Sequence, residues 1–158
     1  MPPNSEADPR LDAFREASME FDAVYNLLAK SCGLSDPEFW SLVLIQEGVR
    51  TQREISEQLS ISRQTLNSAF KLLVRKGLIC LTPLERDQRS KQAVLTHQGE
   101  RFVEERILPA LSLEEQAWSF LSVKEQEMLT QLTHKFSTAL LQLLHDSTQF
   151  NADSSEDL

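Results

Sequence analysis

A mainly α-helical fold carrying one small β-hairpin follows from three features of the sequence. Only four glycines occur in 158 residues, while helix-favouring Leu, Gln, Glu and Lys are abundant. Apolar residues recur in steps of three and four along several stretches, the spacing of one helical face. Ser or Thr stands three residues before Glu at Ser35–Glu38, Thr51–Glu54 and Ser122–Glu125, a reciprocal capping pattern that opens helices. The hairpin is the exception: two short apolar runs flank a polar, charged stretch between Pro83 and Lys91.

Taken in order, residues 1–10 hold three prolines and little hydrophobicity and are expected to be disordered. Leu11, Phe14, Ala17, Phe21, Val24 and Leu28 mark a long amphipathic helix within 11–34, closed by Cys32 and Gly33. Ser35, Pro37 and Glu38 start a second helix, whose run Phe39–Ile45 is apolar nearly all round and is expected to be buried. Thr51 opens a short third helix ending at Leu59, Ser60–Ser62 is a tight connector, and Ser62 caps a fourth that Gly77 stops. Leu78–Thr82 and Gln92–Thr96 are the expected strands. Thr96 caps a fifth helix with Phe102, Val103, Ile107 and Leu108 on its inner side, and Pro109 with Ser112 predicts a kink or break. Ser122 opens the last long helix, with Leu129, Leu132, Phe136, Leu140 and Leu143 on one face; residues 147–158 form an acidic tail expected to be disordered.

The formal net charge of −8 argues at first against a polyanionic partner. Its distribution along the chain argues the other way. Residues 50–91 carry nine basic and four acidic side chains, a balance of +5, leaving −13 for the rest. Apolar runs such as Leu42–Ile45 are too short to cross a bilayer, and the first residues lack the pattern of a secretory signal, so a soluble, cytoplasmic protein without membrane association is expected. Two isolated cysteines make no disulfide scaffold, and neither a phosphate-cradling glycine motif nor a catalytic constellation is present. His134 and His145 lie roughly 16 Å apart along one helix, too far to share an ion. No enzyme activity, metal or cofactor is expected.

Helix, short turn, helix, strand, charged loop and strand in succession (residues 35–96) make a winged helix-turn-helix. In the second helix of the pair, 62–76, Leu66, Phe70 and Leu73 face inward. Arg63, Gln64, Asn67, Ser68, Lys71 and Arg75 are left outward, with Ser62 and Thr65 at its start. Amides, hydroxyls and cations are the groups that bond base edges and phosphates of double-stranded DNA, and no acidic residue interrupts them from Arg63 to Lys76. The first turns, with Arg63, Gln64 and Asn67, are placed to meet bases; Lys71, Arg75 and Lys76 are placed to meet phosphates. The hairpin, 78–96, adds Arg86, Asp87, Arg89 and Lys91.

The segments Gln52–Leu59, Ser62–Leu66 and Leu73–Ile79, followed by Asp87-Gln88-Arg89-Ser90-Lys91, Val94-Leu95-Thr96 and Gly99, resemble the MarR-type (multiple antibiotic resistance) regulators over roughly residues 11–145. The resemblance implies a dimer in which the N-terminal helix and the C-terminal segment 97–146 intertwine, presenting two winged domains to a pseudo-palindromic operator. It also implies that Arg89 enters the minor groove, oriented by Asp87, where narrow A·T tracts concentrate negative potential. Gln88 stands where the family often has a basic residue. Independently, the apolar stripes of the first and last helices exceed what one such domain can cover, which points to a second copy; an internal helix pair is the alternative.

The expected function is therefore a homodimeric, DNA-binding transcriptional repressor. The family commonly answers to small aromatic or lipophilic effectors, for which Tyr25, Phe39, Trp40 and Val43 are the candidate cleft; the same residues read equally as core, the reading favoured here. Alternatives are a winged-helix protein-interaction module, suggested by the acidic body, and thiol-based redox sensing through Cys32. For Cys32 a small buried hydrophobe is the favoured role, since the negative end of a helix does not support an anionic sulfur. Cys80 is likewise expected to pack inside.

Overall fold

A computed structural model of the chain describes the backbone of residues 8–84 and 87–153 and the side chains of residues 8–83 and 91–147. The chain is mainly helical with one antiparallel hairpin: α1 (Pro9–Ser31), α2 (Asp36–Gln46), α3 (Gln52–Gln58), α4 (Arg63–Arg75), β1 (Ile79–Leu84), β2 (Asp87–Leu95), α5 (His97–Phe102), a π-helical turn (Val103–Ile107), α6 (Leu108–Trp118) and α7 (Val123–Asp153). It divides into two compact units, residues 1–112 and 113–158.

The core of the first unit gathers Phe39, Leu42 and Ile45 of α2, Ile55 of α3, and Leu66, Phe70 and Leu73 of α4 with Ile79, Ala93, Val103 and Ile107. Burying each of the two phenylalanines contributes roughly 2–3 kcal/mol. The long flanking helices differ. Phe14, Phe21 and Val24 of α1 are about half exposed or more, as are Leu132, Leu143 and Leu144 of α7.

Several boundaries depart from expectation. α1 begins at Pro9 rather than Leu11, because Asp8 caps it by accepting the Arg10 N–H at 2.9 Å and a proline fits the first helical position without losing a bond. α7 runs to Asp153, past Ser147. The strands extend through most of the charged stretch expected to be loop, with Pro83 opposite Lys91, Leu84 opposite Asp87 and an irregular register between the two pairs. A two-stranded ribbon pairs its own backbone groups whatever its side chains, so its outer half needs no apolar face.

No break occurs at Pro109 or Ser112. The preceding turn widens instead, with Leu108 N–H donating to the Val103 carbonyl five residues back. That turn absorbs the donor and the space that a proline removes from a regular helix. It also rotates the start of α6, so Leu108 is 46% exposed, not inward, while Ala110 is buried. Cys80 is exposed, correcting its expected packing role: strand alternation places Ile79 inward and its neighbour outward. Among the described residues no helix is long and apolar enough to cross a membrane.

Two close geometries hold the hairpin to the helices. Gly77 ends α4 at φ 71°, in the left-handed region. Gly99 packs so tightly under the end of α4 that a Cβ would lie 1.9 Å from the Leu78 carbonyl oxygen.

Candidate nucleic-acid interface

The presenting helix is α4, and its display depends on its buried side. Leu66, Ala69, Phe70 and Leu73 are all buried, which leaves Arg63, Gln64, Asn67, Ser68, Lys71 and Arg75 exposed. Ser62 accepts the Thr65 N–H at 3.0 Å, and the two hydroxyls lie 2.8 Å apart, so both expected contacts are partly spent on the cap. The turn before it is tight: Ser60 adopts φ 52° and Ile61 plugs the corner, half-buried.

Gln52, at the start of α3, donates to the Asn67 carbonyl oxygen at 3.0 Å. With its oxygen occupied, Asn67 presents N–H donors, the groups that suit purine N7 and guanine O6. Ser68 donates back to the Gln64 carbonyl at 3.1 Å. Gln52 and its orienting role were not legible from spacing, since the two amides are fifteen residues apart. Arg63, Lys71 and Arg75 make no ion pair among the described residues, so their charges face outward uncompensated.

The hairpin lies beside this helix pair. Ala93 N–H donates to the Arg50 carbonyl at 2.8 Å and Thr51 bridges to Gln92, which brings the exposed Arg50 to the hairpin base. Arg50 figured only in the charge balance. Lys91 is exposed. Arg86 and the side chains of Asp87 and Arg89 lie outside the described residues.

Lys76 corrects an expectation. Rather than pointing to phosphate, its Nζ donates to Glu38 Oε1 at 2.8 Å and to the Gly33 carbonyl at 3.1 Å. Glu38, 3% exposed, also accepts from the Ser35 N–H and hydroxyl at 2.9 and 2.8 Å. The capping box of α2 thus clasps the end of α4. Burial pushes the Glu38 carboxyl up, but Lys76 and Ser35 together outweigh burial and hold it below its ordinary value. Its stabilising contribution is present above the ordinary carboxylate range and is lost as pH falls through the depressed value. Lys76→Ala is expected to cost about 2–3 kcal/mol at pH 7, less than a fully buried pair because Lys76 is partly exposed. Stripped of its cation, buried Glu38 should take up its proton at higher pH, and since the folded variant then binds that proton more readily than the folded wild type does, the cost of the substitution should shrink as pH falls. Urea unfolding at pH 7 and pH 5 measures both effects.

The candidate cleft residues separate. Tyr25 and Trp40 line an open depression between α1 and α2, with ring centroids 5.8 Å apart. Phe39 and Val43 are core instead, 1% and 7% exposed, because α2 turns them toward α4 and the hairpin. Cys32 is buried, its thiol donating to the Arg106 carbonyl at 3.4 Å.

Residues 33–90 match the family model described as MarR family. The chain is 30% identical over 132 residues to the transcriptional repressor MprA of Escherichia coli K12, covering 82% of this chain and 75% of that protein. Among solved structures, NMB1585, a MarR family regulator from Neisseria meningitidis, superposes with a TM-score of 0.75 at 19% identity, covering 87% of this chain and 98% of that one. BpsR of Bordetella bronchiseptica, whose DNA binding is regulated by 6-hydroxynicotinic acid, gives a TM-score of 0.67 at 20% identity over 85% and 95% of the two chains.

Proposed function

The chain belongs to the MarR family of DNA-binding regulators, and from that membership we propose that it is a cytoplasmic transcriptional repressor. It binds a pseudo-palindromic operator as a homodimer and releases it when a small effector binds. Members of the family are regulators rather than enzymes and generally bind DNA as dimers. The observation that carries the reading is the outward face of α4. Arg63, Gln64, Asn67, Lys71 and Arg75 are exposed together, without one acidic residue among them, on a helix whose other side is locked into the core.

The exposed apolar stripes of α1 and α7 support the homodimer, since each copy offers the other an apolar surface that its own fold leaves uncovered. The repressor sign is supported by likeness to the E. coli repressor. The depression at Tyr25 and Trp40 supports an effector site. The acid-free α4 face weighs against a protein-interaction module, and the buried, hydrogen-bonded Cys32 weighs against redox sensing.

Arg89→Ala is expected to weaken operator binding at least tenfold, with no change in thermal midpoint beyond about 2 °C, because the contact it removes is one made to DNA rather than within the fold. Titration of both proteins against a footprinted operator decides it. Equal affinity would remove Arg89 from the interface.

A further inference from the structure

Phe21 and Tyr25 of α1 and Trp40 of α2 wall a depression of about 460 Å³, lined also by Asp22, Asn26 and Asp36, with Phe21 on the edge that belongs also to the apolar stripe of the proposed homodimer. The rings form a connected series: Phe21 and Tyr25 have centroids 4.8 Å apart at 59°, Tyr25 and Trp40 5.8 Å apart at 38°. Buried Phe39 meets Trp40 edge-on at 5.2 Å and fixes its plane from behind. The Asn26 amide is turned onto the helix, donating to the Asp22 carbonyl at 2.9 Å. Asp22 and Asp36 bring two carboxylates to the lining, and neither pairs with a cation among the described residues.

This wall repels a carboxylate or phenolate. It attracts a positive charge twice over, through the carboxylates and through the negative faces of the aromatic rings, while the rings also receive apolar substituents. We propose that the depression binds a lipophilic organic cation of the quaternary-ammonium class. The assignment deepens the effector reading above and rests on it for its consequence. Asp36 and Trp40 flank Glu38 in the first turns of α2, and Glu38 holds Lys76 at the end of α4.

Calorimetric titration of the full chain with three probes of similar size tests it: phenyltrimethylammonium, its neutral isostere tert-butylbenzene, and benzoate. The cation should bind saturably and at least tenfold tighter than either other probe. The doubly substituted Asp22→Asn/Asp36→Asn variant, altered only at non-core positions, should lose at least fivefold of that affinity while keeping its thermal midpoint. The single Asp22→Asn variant should lose about half of that loss on a logarithmic scale. Benzoate binding as tightly as the cation, an unchanged affinity in the double variant, or no saturable cation binding would each overturn the assignment. Adding each probe to the operator complex separates the two readings. A cation that binds at the depression without releasing DNA leaves the site standing and removes its effector role. Release by benzoate together with no saturable cation binding keeps an effector and removes the cation site.

Discussion

Gly99→Ala is expected to destabilise the winged unit by about 3 kcal/mol or more, the upper end of what overpacking costs. The added methyl would sit 1.9 Å from the Leu78 carbonyl oxygen, a backbone atom that cannot rotate away. The same carbonyl accepts the Thr96 N–H at 3.1 Å, and Thr96 Oγ1 caps α5 through the Gly99 N–H at 3.0 Å. Relief of the clash therefore requires α5 to move off the end of α4, breaking the bonds that join helix, strand and cap. At 2–4 °C per kcal/mol for a chain of this size, the thermal midpoint should fall by roughly 10 °C. Operator binding should fall with it, because α4 and the hairpin lose their common anchor. Thermal melts of the variant beside Gly33→Ala give the comparison. Gly33 has open space around it, so its alanine variant is strained only by its backbone angle and should lose much less. Equal small losses would mean that the contact at Gly99 yields easily.

Lys71→Glu combined with Arg75→Glu should abolish measurable operator binding, a loss of more than a hundredfold, with folding stability within about 0.5 kcal/mol of wild type. Both side chains are exposed, and neither forms an ion pair among the described residues as Lys76 does. On the proposed reading, each substitution removes a phosphate contact in each protomer and adds a repulsive charge. With alanine at both positions, where binding stays measurable, the salt dependence should fall by about 3–4 in logarithmic slope, at about 0.9 per phosphate contact over four contacts in the dimer. Arg63→Ala differs in kind: it should relax discrimination among operator variants more than it lowers affinity for all DNA. Fluorescence anisotropy across a salt series separates the two classes.

Much of the scaffold of this candidate interface was legible because the physics there is local. Leu66, Phe70 and Leu73 recur at helical spacing, and Ser35, Thr51 and Ser62 carry capping signals, so the helices and the outward face of α4 follow from the sequence itself. What escaped depends on groups distant in sequence. Lys76 reads as one more cation on a basic helix until α2 brings Glu38 and Gly33 to it. Gln52 reads as a helix-opening residue until it meets Asn67. Phe39 and Trp40 are adjacent aromatics with opposite fates, one in the core and one on a depression wall, and an all-apolar helix gives no phase by which to tell them apart. The π-helical turn before Pro109 was hidden for a related reason: a proline signals a lost hydrogen bond, and the neighbouring packing decides whether the helix breaks or widens.

Binding of the purified chain to a labelled fragment from upstream of its own gene, beside a scrambled fragment and over a salt series, is the measurement to make. A DNA-binding repressor acting through α4 and the hairpin should bind the native fragment selectively, with affinity falling steeply as salt rises and counterion release is lost. Failure to bind any DNA at low salt, from a folded protein with its α4 face intact, would contradict that function.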